Sequence, residues 1–406
     1  MKNKLSSNTG LVIFLCWIGY SVATFGRINL TANIVNFTNV TGVPKTEFGA
    51  VGAAFAIAYG VGQLVNGVLC ERLNSRWILS IALILSGGIS VVVGCLKSIV
   101  AISIFWGLNG AIQSMLWCHV IKSISSFGDS KSISKGLVVI TTTTPVGTIA
   151  AYGVSALFTF LGAWRLTFFV SGGMLVLSGV LIALFLPAAS GEVGKKLPIS
   201  RKNSSFVAFL PSLIPMFICA ILLNYANHGL TTWMPNLLNE YYDMPEYFSI
   251  LLTMLLPVVG MLCGITAVKS SERIGNPIIA SILFSAIAAV GVVVSMVFMR
   301  VSVVFLMVGF VVGTFGAHVD NSIYTAVLPS SLKGYLGSGM LAGVIDAFCY
   351  VGTALSSQLP AILIEKRGYE SFLASELIVC LLFAVIGTFA NVMLNMCKKR
   401  FDEQKK

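Results

Sequence analysis

The chain has 406 residues, 56% of them hydrophobic and only 10% charged, with a mean hydropathy of +0.91 and a formal charge of +11. A soluble domain carries about a quarter charged residues, so lipid must solvate much of this surface. Its apolar runs are too long for the roughly ten-residue alternating strands of a membrane barrel, and the cationic excess reads as a topology signal rather than a nucleic-acid patch.

Runs such as Leu11–Gly19, Ile78–Cys95, Phe168–Pro187, Ile278–Met299, Val303–Val312 and Leu377–Met393 predict an all-α membrane protein of twelve transmembrane helices. The spans fall near 11–36, 48–70, 77–96, 99–124, 136–160, 164–187, 206–238, 247–268, 277–299, 302–327, 334–361 and 371–396. Of 26 Lys and Arg residues, 19 then lie on the side of both termini, six lie on the other, and Arg27 stays inside a span. That bias predicts a multi-pass protein of the cytoplasmic membrane with both termini in the cytoplasm. Lys2 and Lys4 precede an apolar run as in a signal peptide. No small-residue cleavage site ends that run, so it is expected to remain as the first span.

On the first span Tyr20, Thr24, Arg27 and Thr31 share one helical face. A charge within a span is costly unless it faces protein or water, so it marks a functional site by default. The planar guanidinium of Arg27 can grip a carboxylate or phosphate with two hydrogen bonds. The competing reading has Arg27 snorkelling to a headgroup or pairing with Asp320 or Asp346. Past the second span, Glu71, Arg72 and Arg76 form a charged loop. Span four carries Asn109, Gln113 and Trp117 at intervals of four, and span five carries Thr144, Thr148 and Tyr152 beside Pro145.

The polar, basic stretch 190–205 reads as a cytoplasmic linker between two six-helix bundles, 1–189 and 206–406. Internal echoes support a duplication: Glu71-Arg72 recurs as Glu272-Arg273, 201 residues on, and Gly147-Thr148 as Gly352-Thr353, 205 residues on. Beyond the linker, span seven carries Asn224, Asn227 or His228, and Thr231, and span ten Thr314, His318, Asn321 and Thr325. Span eleven carries Gly339, Gly343, Asp346, Tyr350, Thr353 and Ser357. A single polar stripe is as often interhelical glue as a binding surface. Six stripes with one arginine look more like the walls of a wet central cavity. Glycines such as Gly60, Gly62, Gly147, Gly153, Gly337, Gly339 and Gly343 allow helices close approach.

Asp320 and Asp346 read as the only acids deep within spans, able to carry a proton or to neutralise Arg27, with His119 and His318 as possible relays. The nine cysteines show no metal-ligand spacing, and no metal or cofactor is expected. Without a Walker loop or nucleophile elbow, neither an enzyme nor an ATP-driven pump is expected.

Several motifs resemble the organophosphate:phosphate antiporter family of the major facilitator superfamily, whose members carry glycerol-3-phosphate and hexose phosphates. The first span reads Gly19-Tyr20 and Arg27-Ile28-Asn29, followed by Lys45-Thr46-Glu47-Phe48-Gly49 and Ala58-Tyr59-Gly60-Val61-Gly62. Glu71-Arg72-Leu73-Asn74-Ser75-Arg76 is similar to the superfamily's signature loop, with Glu for the usual Asp. Leu108 to Trp117, Trp233-Met234-Pro235 and Ala342 to Gly352 are similar to its fourth, seventh and eleventh helices. The resemblance implies two six-helix bundles, alternating access, and Arg27 at the substrate. It places the family's second substrate arginine at Asn227, a basic position of helix two at Gln63 and the helix-five histidine near Thr143. One cation where the family has several points to a less charged anion or a different coordination of phosphate. The related sugar-acid/proton symporters usually have Asp before this arginine, where this chain has Gly26.

The expectation is therefore a secondary transporter of a small phosphorylated or carboxylated anion, acting as a monomer in the lipid bilayer without nucleic acid, with phosphate or a proton as coupling ion. Arg27, Tyr20, Thr24, Gln113, Asn227 and Tyr350 are its substrate candidates, and Asp346, Asp320 and His119 its coupling candidates. Glu71, Arg72 and Arg76 are expected to brace the closed state. The alternatives are a proton-coupled sugar-acid symporter and a transporter-like sensor.

Overall fold

The computed structural model describes residues 2–70, 73–126, 135–136, 139–187, 203–332, 335 and 338–403, and these are helical with no strand. Glu71 and Arg72 fall outside the described residues, as does 190–202 of the expected linker. The first half contains α1 (Lys2–Ala32), α2 (Ile34–Thr41), α3 (Lys45–Leu69), α4 (Ser75–Cys95), α5 (Ile99–Gln113), α6 (Leu116–Ser126), α7 (Thr143–Phe160) and α8 (Leu166–Phe185). The second contains α9 (Asn203–Tyr242), α10 (Glu246–Thr253), α11 (Leu255–Gly260), α12 (Cys263–Ile274), α13 (Pro277–Phe298) and α14 (Val303–Ser322). A π-helical segment (Ile323–Val327), α15 (Leu328–Ser331), α16 (Ser338–Arg367) and α17 (Tyr369–Glu403) complete it.

Eleven stretches of the described residues are long and apolar enough to cross a membrane. The expected span 136–160 is not among them, because α7 carries Thr143, Thr144, Pro145, Thr148, Ser155 and Thr159. Large side chains such as Phe14, Ile104 and Val385 are more than half exposed, a surface that lipid covers. The outline is thus that of a multi-pass membrane protein.

Several predicted spans are broken by identifiable chemistry. Asn33 interrupts the first, its amide donating to the Asn29 carbonyl at 2.9 Å and to Ser155 Oγ at 2.9 Å instead of leaving the helix regular. Span four breaks after Gln113, where Ser114 Oγ donates to the Ala111 carbonyl at 2.6 Å. Span ten widens to π geometry just before Pro329, which has no N–H for the carbonyl four residues back.

The duplication read from sequence recurs as paired local structures. Asn74 caps α4 by accepting from the Arg76 N–H at 3.1 Å, and Asn276 caps α13 by accepting from Ile278 N–H at 2.9 Å. Pro44 precedes α3 as Pro245 precedes α10. Gly147 of α7 packs on α1 at Ser21 and Thr24, and Gly352 of α16 packs on α9 at Ile221 and Asn224. Both glycines meet a backbone carbonyl where any side chain would overlap it.

The chain folds into two compact units, one of Met1–Gly194 with Met234–Val258, the other of Lys195–Trp233 with Val259–Lys406. Residues 234–258 join the first unit through Lys45–Glu240 at 2.8 Å, Asn39 Nδ2 to Glu246 Oε1 at 2.9 Å and the Phe160–Tyr247 ring contact. Within that unit α4 and α8 form a tight pair. Ser80 Oγ donates to the Gly179 carbonyl at 2.6 Å, and Arg165 donates to the carbonyls of Gly94 and Leu96 at 2.9 and 2.8 Å. Arg76 does the same at the other end, donating through Nε to the Ala183 carbonyl at 2.7 Å. Each arginine thus satisfies orphan carbonyls at a helix C-terminus, where cations are favoured. The second unit is organised around Phe209, Leu213, Met216, Tyr324, Phe383 and Leu394.

Candidate substrate and coupling sites

Arg27 is half-buried on α1 and braced from its own face. Its Nη2 donates to Thr24 Oγ1 at 2.9 Å, and Thr24 in turn donates to the Tyr20 carbonyl at 3.0 Å. The guanidinium carbon lies 5.2 Å from the Tyr20 ring and 5.7 Å from the Tyr59 ring. Tyr20 also meets Trp117, with ring centroids 5.1 Å apart. The predicted stripe therefore gathers Tyr20, Thr24 and Arg27 and adds Tyr59 of α3 and Trp117 of α6. A guanidinium held in this way is the group that can grip an oxyanion in parallel hydrogen bonds.

Other stripe members make hydrogen bonds within the helix packing. Gln113 Nε2 donates to Ser86 Oγ at 2.8 Å, and Ser86 donates to Asn109 Oδ1 at 2.6 Å, tying α5 to α4. Thr148 and Thr353 donate to carbonyls of their own helices at 2.8 and 3.2 Å. An asparagine ladder on α1 and α2 adds polar contacts that the stripes did not include. Asn29 donates to Ser171, Asn33 to Ser155, and Asn36 to Thr159 Oγ1 at 2.8 Å. Its spacing, i, i+4 and i+7, is a helical signal present in the sequence.

In the second unit, Asn227 is buried and its Oδ1 has no hydrogen-bond partner. Asp346 and Tyr350 lie one turn apart on α16, both half-buried. Asp320 is buried, accepts a hydrogen bond from Ser281 of α13, and borders a small cavity with Leu223, Ala226, Ser285, Cys380 and Phe383. The expectation that Asp320 and Asp346 are the only deep acids fails at Glu376. That residue is fully buried on α17, packs against Gly229 of α9, and neither carboxyl oxygen has a hydrogen-bond partner. It lies near the start of its span, where an acid in the sequence looks like a boundary residue.

His119 lies at the end of the first unit that carries the 73–76 segment. Its Nδ1 is 3.1 Å from Ser75 Oγ and 3.7 Å from Cys70 Sγ, and Cys118 precedes it on α6. Spacing along the chain gives no hint of this Cys–Cys–His group, because the fold brings Cys70 to residues 48 and 49 positions away. Of the expected gating residues, Arg76 is described, and its guanidinium also lies 5.4 Å from the Trp77 ring.

An all-helical, lipid-exposed chain with an arginine on a polar stripe inside a span defines a multi-pass membrane protein with a functional polar face. Residues 16–320 match the Major Facilitator Superfamily, and the chain belongs to that family. It is 22% identical over 388 residues to the membrane sensor protein UhpC of Escherichia coli (strain K12), covering 89% of this chain and 87% of that protein. A probable hexose phosphate transport protein of Chlamydia pneumoniae is 29% identical over 106 residues, 26% of this chain and 23% of that protein. The human glucose-6-phosphate exchanger SLC37A2 is 30% identical over 157 residues, 35% of this chain and 29% of that protein. The match thus spans less than a quarter of the chlamydial relative's length, and these relatives agree with the resemblance to organophosphate:phosphate antiporters. A solved bacterial homologue of the human lysosomal transporter Spinster, inward-facing and unoccupied, superposes with a TM-score of 0.75 over 98% of both chains. At 14% identity that likeness shows the fold alone.

Proposed function

We propose that the chain carries a small phosphorylated or carboxylated metabolite by alternating access, with Arg27 holding the anionic group. The observation that carries this reading is the Arg27 site itself, braced by Thr24 at 2.9 Å and flanked by the Tyr20 and Tyr59 rings. The relatives named as hexose phosphate transporter and glucose-6-phosphate exchanger favour the phosphorylated class. Asn227 stands where the antiporter family has its second arginine, and it lies 200 residues after Arg27, near the repeat offset. A neutral amide there suits a monoanion or a phosphate with one strong charge contact. The distribution of Lys and Arg supports cytoplasmic termini in a cytoplasmic membrane, and monomeric function is part of the same proposal.

Substrate-dependent thermal stabilisation of the purified protein tests the binding half of the proposal. Hexose phosphates, glycerol phosphate, inorganic phosphate and sugar acids form the panel. At least one should raise the melting temperature of wild type and leave Arg27→Ala unmoved. Equal stabilisation of both proteins would remove Arg27 from the site. A second reading, a sensor built on the transporter fold, is favoured by the relative named as a membrane sensor, which is matched over 87% of its length. Binding without transport would select it.

The coupling acid in this proposal is Asp346, one turn from Tyr350 on a polar face of α16, with Asp320 next in line. In this role Asp346 takes a proton when the site is empty. Asp346→Asn keeps shape and much of the hydrogen bonding but removes the titration, so net uptake should lose its pH dependence. Wild-type pH dependence in that variant would make Asp346 structural.

A further inference from the structure

We propose that Cys70, Cys118 and His119 form a binding site for a thiophilic divalent cation of the Zn²⁺ class, linking the end of α3 to α6. Two thiols and an imidazole are the donor set that such cations select. One ligand atom from each lies within 4.8 Å of the others. The Cys70 Sγ to His119 Nδ1 separation is 3.7 Å. A tetrahedral centre with bonds of about 2.3 Å to sulfur and about 2.0 Å to nitrogen needs an edge of about 3.5 Å. The pair is therefore already near the required spacing.

His119 is fully buried, and its Nε2 has no hydrogen-bond partner, so the ring's polar contacts lie on the Nδ1 side, toward Cys70 and Ser75. The framework holding the three donors is tied across the helices at several points. Lys122 Nζ donates to the carbonyls of Cys70 and Leu73 at 2.7 and 2.9 Å. Asn66 Nδ2 donates to Ser114 Oγ at 2.9 Å. Ser75 Oγ lies 3.1 Å from Nδ1, and the fourth position of the site is open to water. Cys118 is half-buried, so a small ion has a way in. Binding forms two metal–thiolate bonds and one metal–imidazole bond, and the two thiol protons leave to solvent. Two thiolates neutralise the dication, and the Lys122 ammonium remains on the neighbouring carbonyls. Cys70 is the last described residue before the signature loop. An ion there fixes the root of that loop to α6, independently of Arg27 and its substrate.

Co²⁺ titration of purified, tag-free full-length protein under reducing conditions tests the site. One equivalent should produce thiolate-to-cobalt charge-transfer absorption with tetrahedral ligand-field bands, and Zn²⁺ should bleach both. Cys70→Ser and Cys118→Ser should each abolish the charge-transfer signal of a two-thiolate site, and His119→Gln should weaken binding by roughly tenfold or more. Cys219→Ser, at a buried thiol outside the group, should change nothing. Wild-type protein also gives a readout that needs no variant: Zn²⁺ should protect Cys118 from maleimide, read by mass spectrometry. No stoichiometric cobalt signal, a signal that survives Cys70→Ser, or unprotected Cys118 would overturn the assignment.

Discussion

Arg27→Ala should reduce transport in proteoliposomes by about a hundredfold or more. A guanidinium gripping an oxyanion makes two charge-assisted hydrogen bonds of about 1.5–3 kcal/mol each. Losing both removes at least 3 kcal/mol or so, and about 1.4 kcal/mol is worth a factor of ten. Arg27→Lys should recover only part, because an ammonium restores the charge but not the planar fork, although it can keep some contact with the Tyr20 and Tyr59 rings. Thr24→Val should cost less than either, since Thr24 only braces the guanidinium through its 2.9 Å bond. The rates are to be normalised to folded protein measured by size-exclusion chromatography. Wild-type flux in Arg27→Ala would take Arg27 out of the mechanism.

The second large effect is on folding. Gly147→Leu and Gly352→Leu should each lower the yield of monodisperse protein severely, and the corresponding alanine variants should lower the melting temperature. A Cβ at 147 overlaps the Ser21 carbonyl and the Thr24 side chain, and one at 352 overlaps the Ile221 carbonyl. Backbone cannot rotate away as a flexible side chain can, so the helices must part, and overpacking of this kind costs about 1–3 kcal/mol for a small addition. Gly173→Ala is the control, because a side chain there meets nothing. A melting temperature for Gly147→Ala equal to that of the control would mean that α1 and α7 do not cross so closely. Parting these helices also shifts Thr24, so any surviving Gly147→Ala protein should bind substrate more weakly than Gly352→Ala.

Much of the fold was legible because lipid imposes a simple code. Long apolar runs gave the spans, and the Gly147 and Gly352 echo marked the two equivalent crossings. The Arg27, Tyr20 and Thr24 face was legible too, since one helical period sets it and no tertiary knowledge is needed. What periodicity could not tell was the partner of each polar face. Gln113 reads like a cavity residue and turns to Ser86, while Asn29, Asn33 and Asn36 read as ordinary and form a ladder to α7 and α8. The Cys70–Cys118–His119 group was invisible for the same reason, because Cys70 lies far from the other two in sequence. Glu376, by contrast, falls inside the predicted span 371–396 but so near its start that it reads as a boundary residue. The polar load of α7 likewise hides a helix from a hydropathy criterion while equipping it to bond Asn33 and Asn36.

The most direct test of the central claim is counterflow. Purified protein is reconstituted into liposomes preloaded with an unlabelled hexose phosphate, glycerol phosphate, inorganic phosphate or sugar acid, and the entry of the labelled compound is followed. The proposal predicts saturable entry that a trans-side phosphorylated or carboxylated anion accelerates, and its collapse in Arg27→Ala. Protein that binds such an anion yet shows no counterflow with any member of the panel would contradict the carrier reading and leave the sensor in its place.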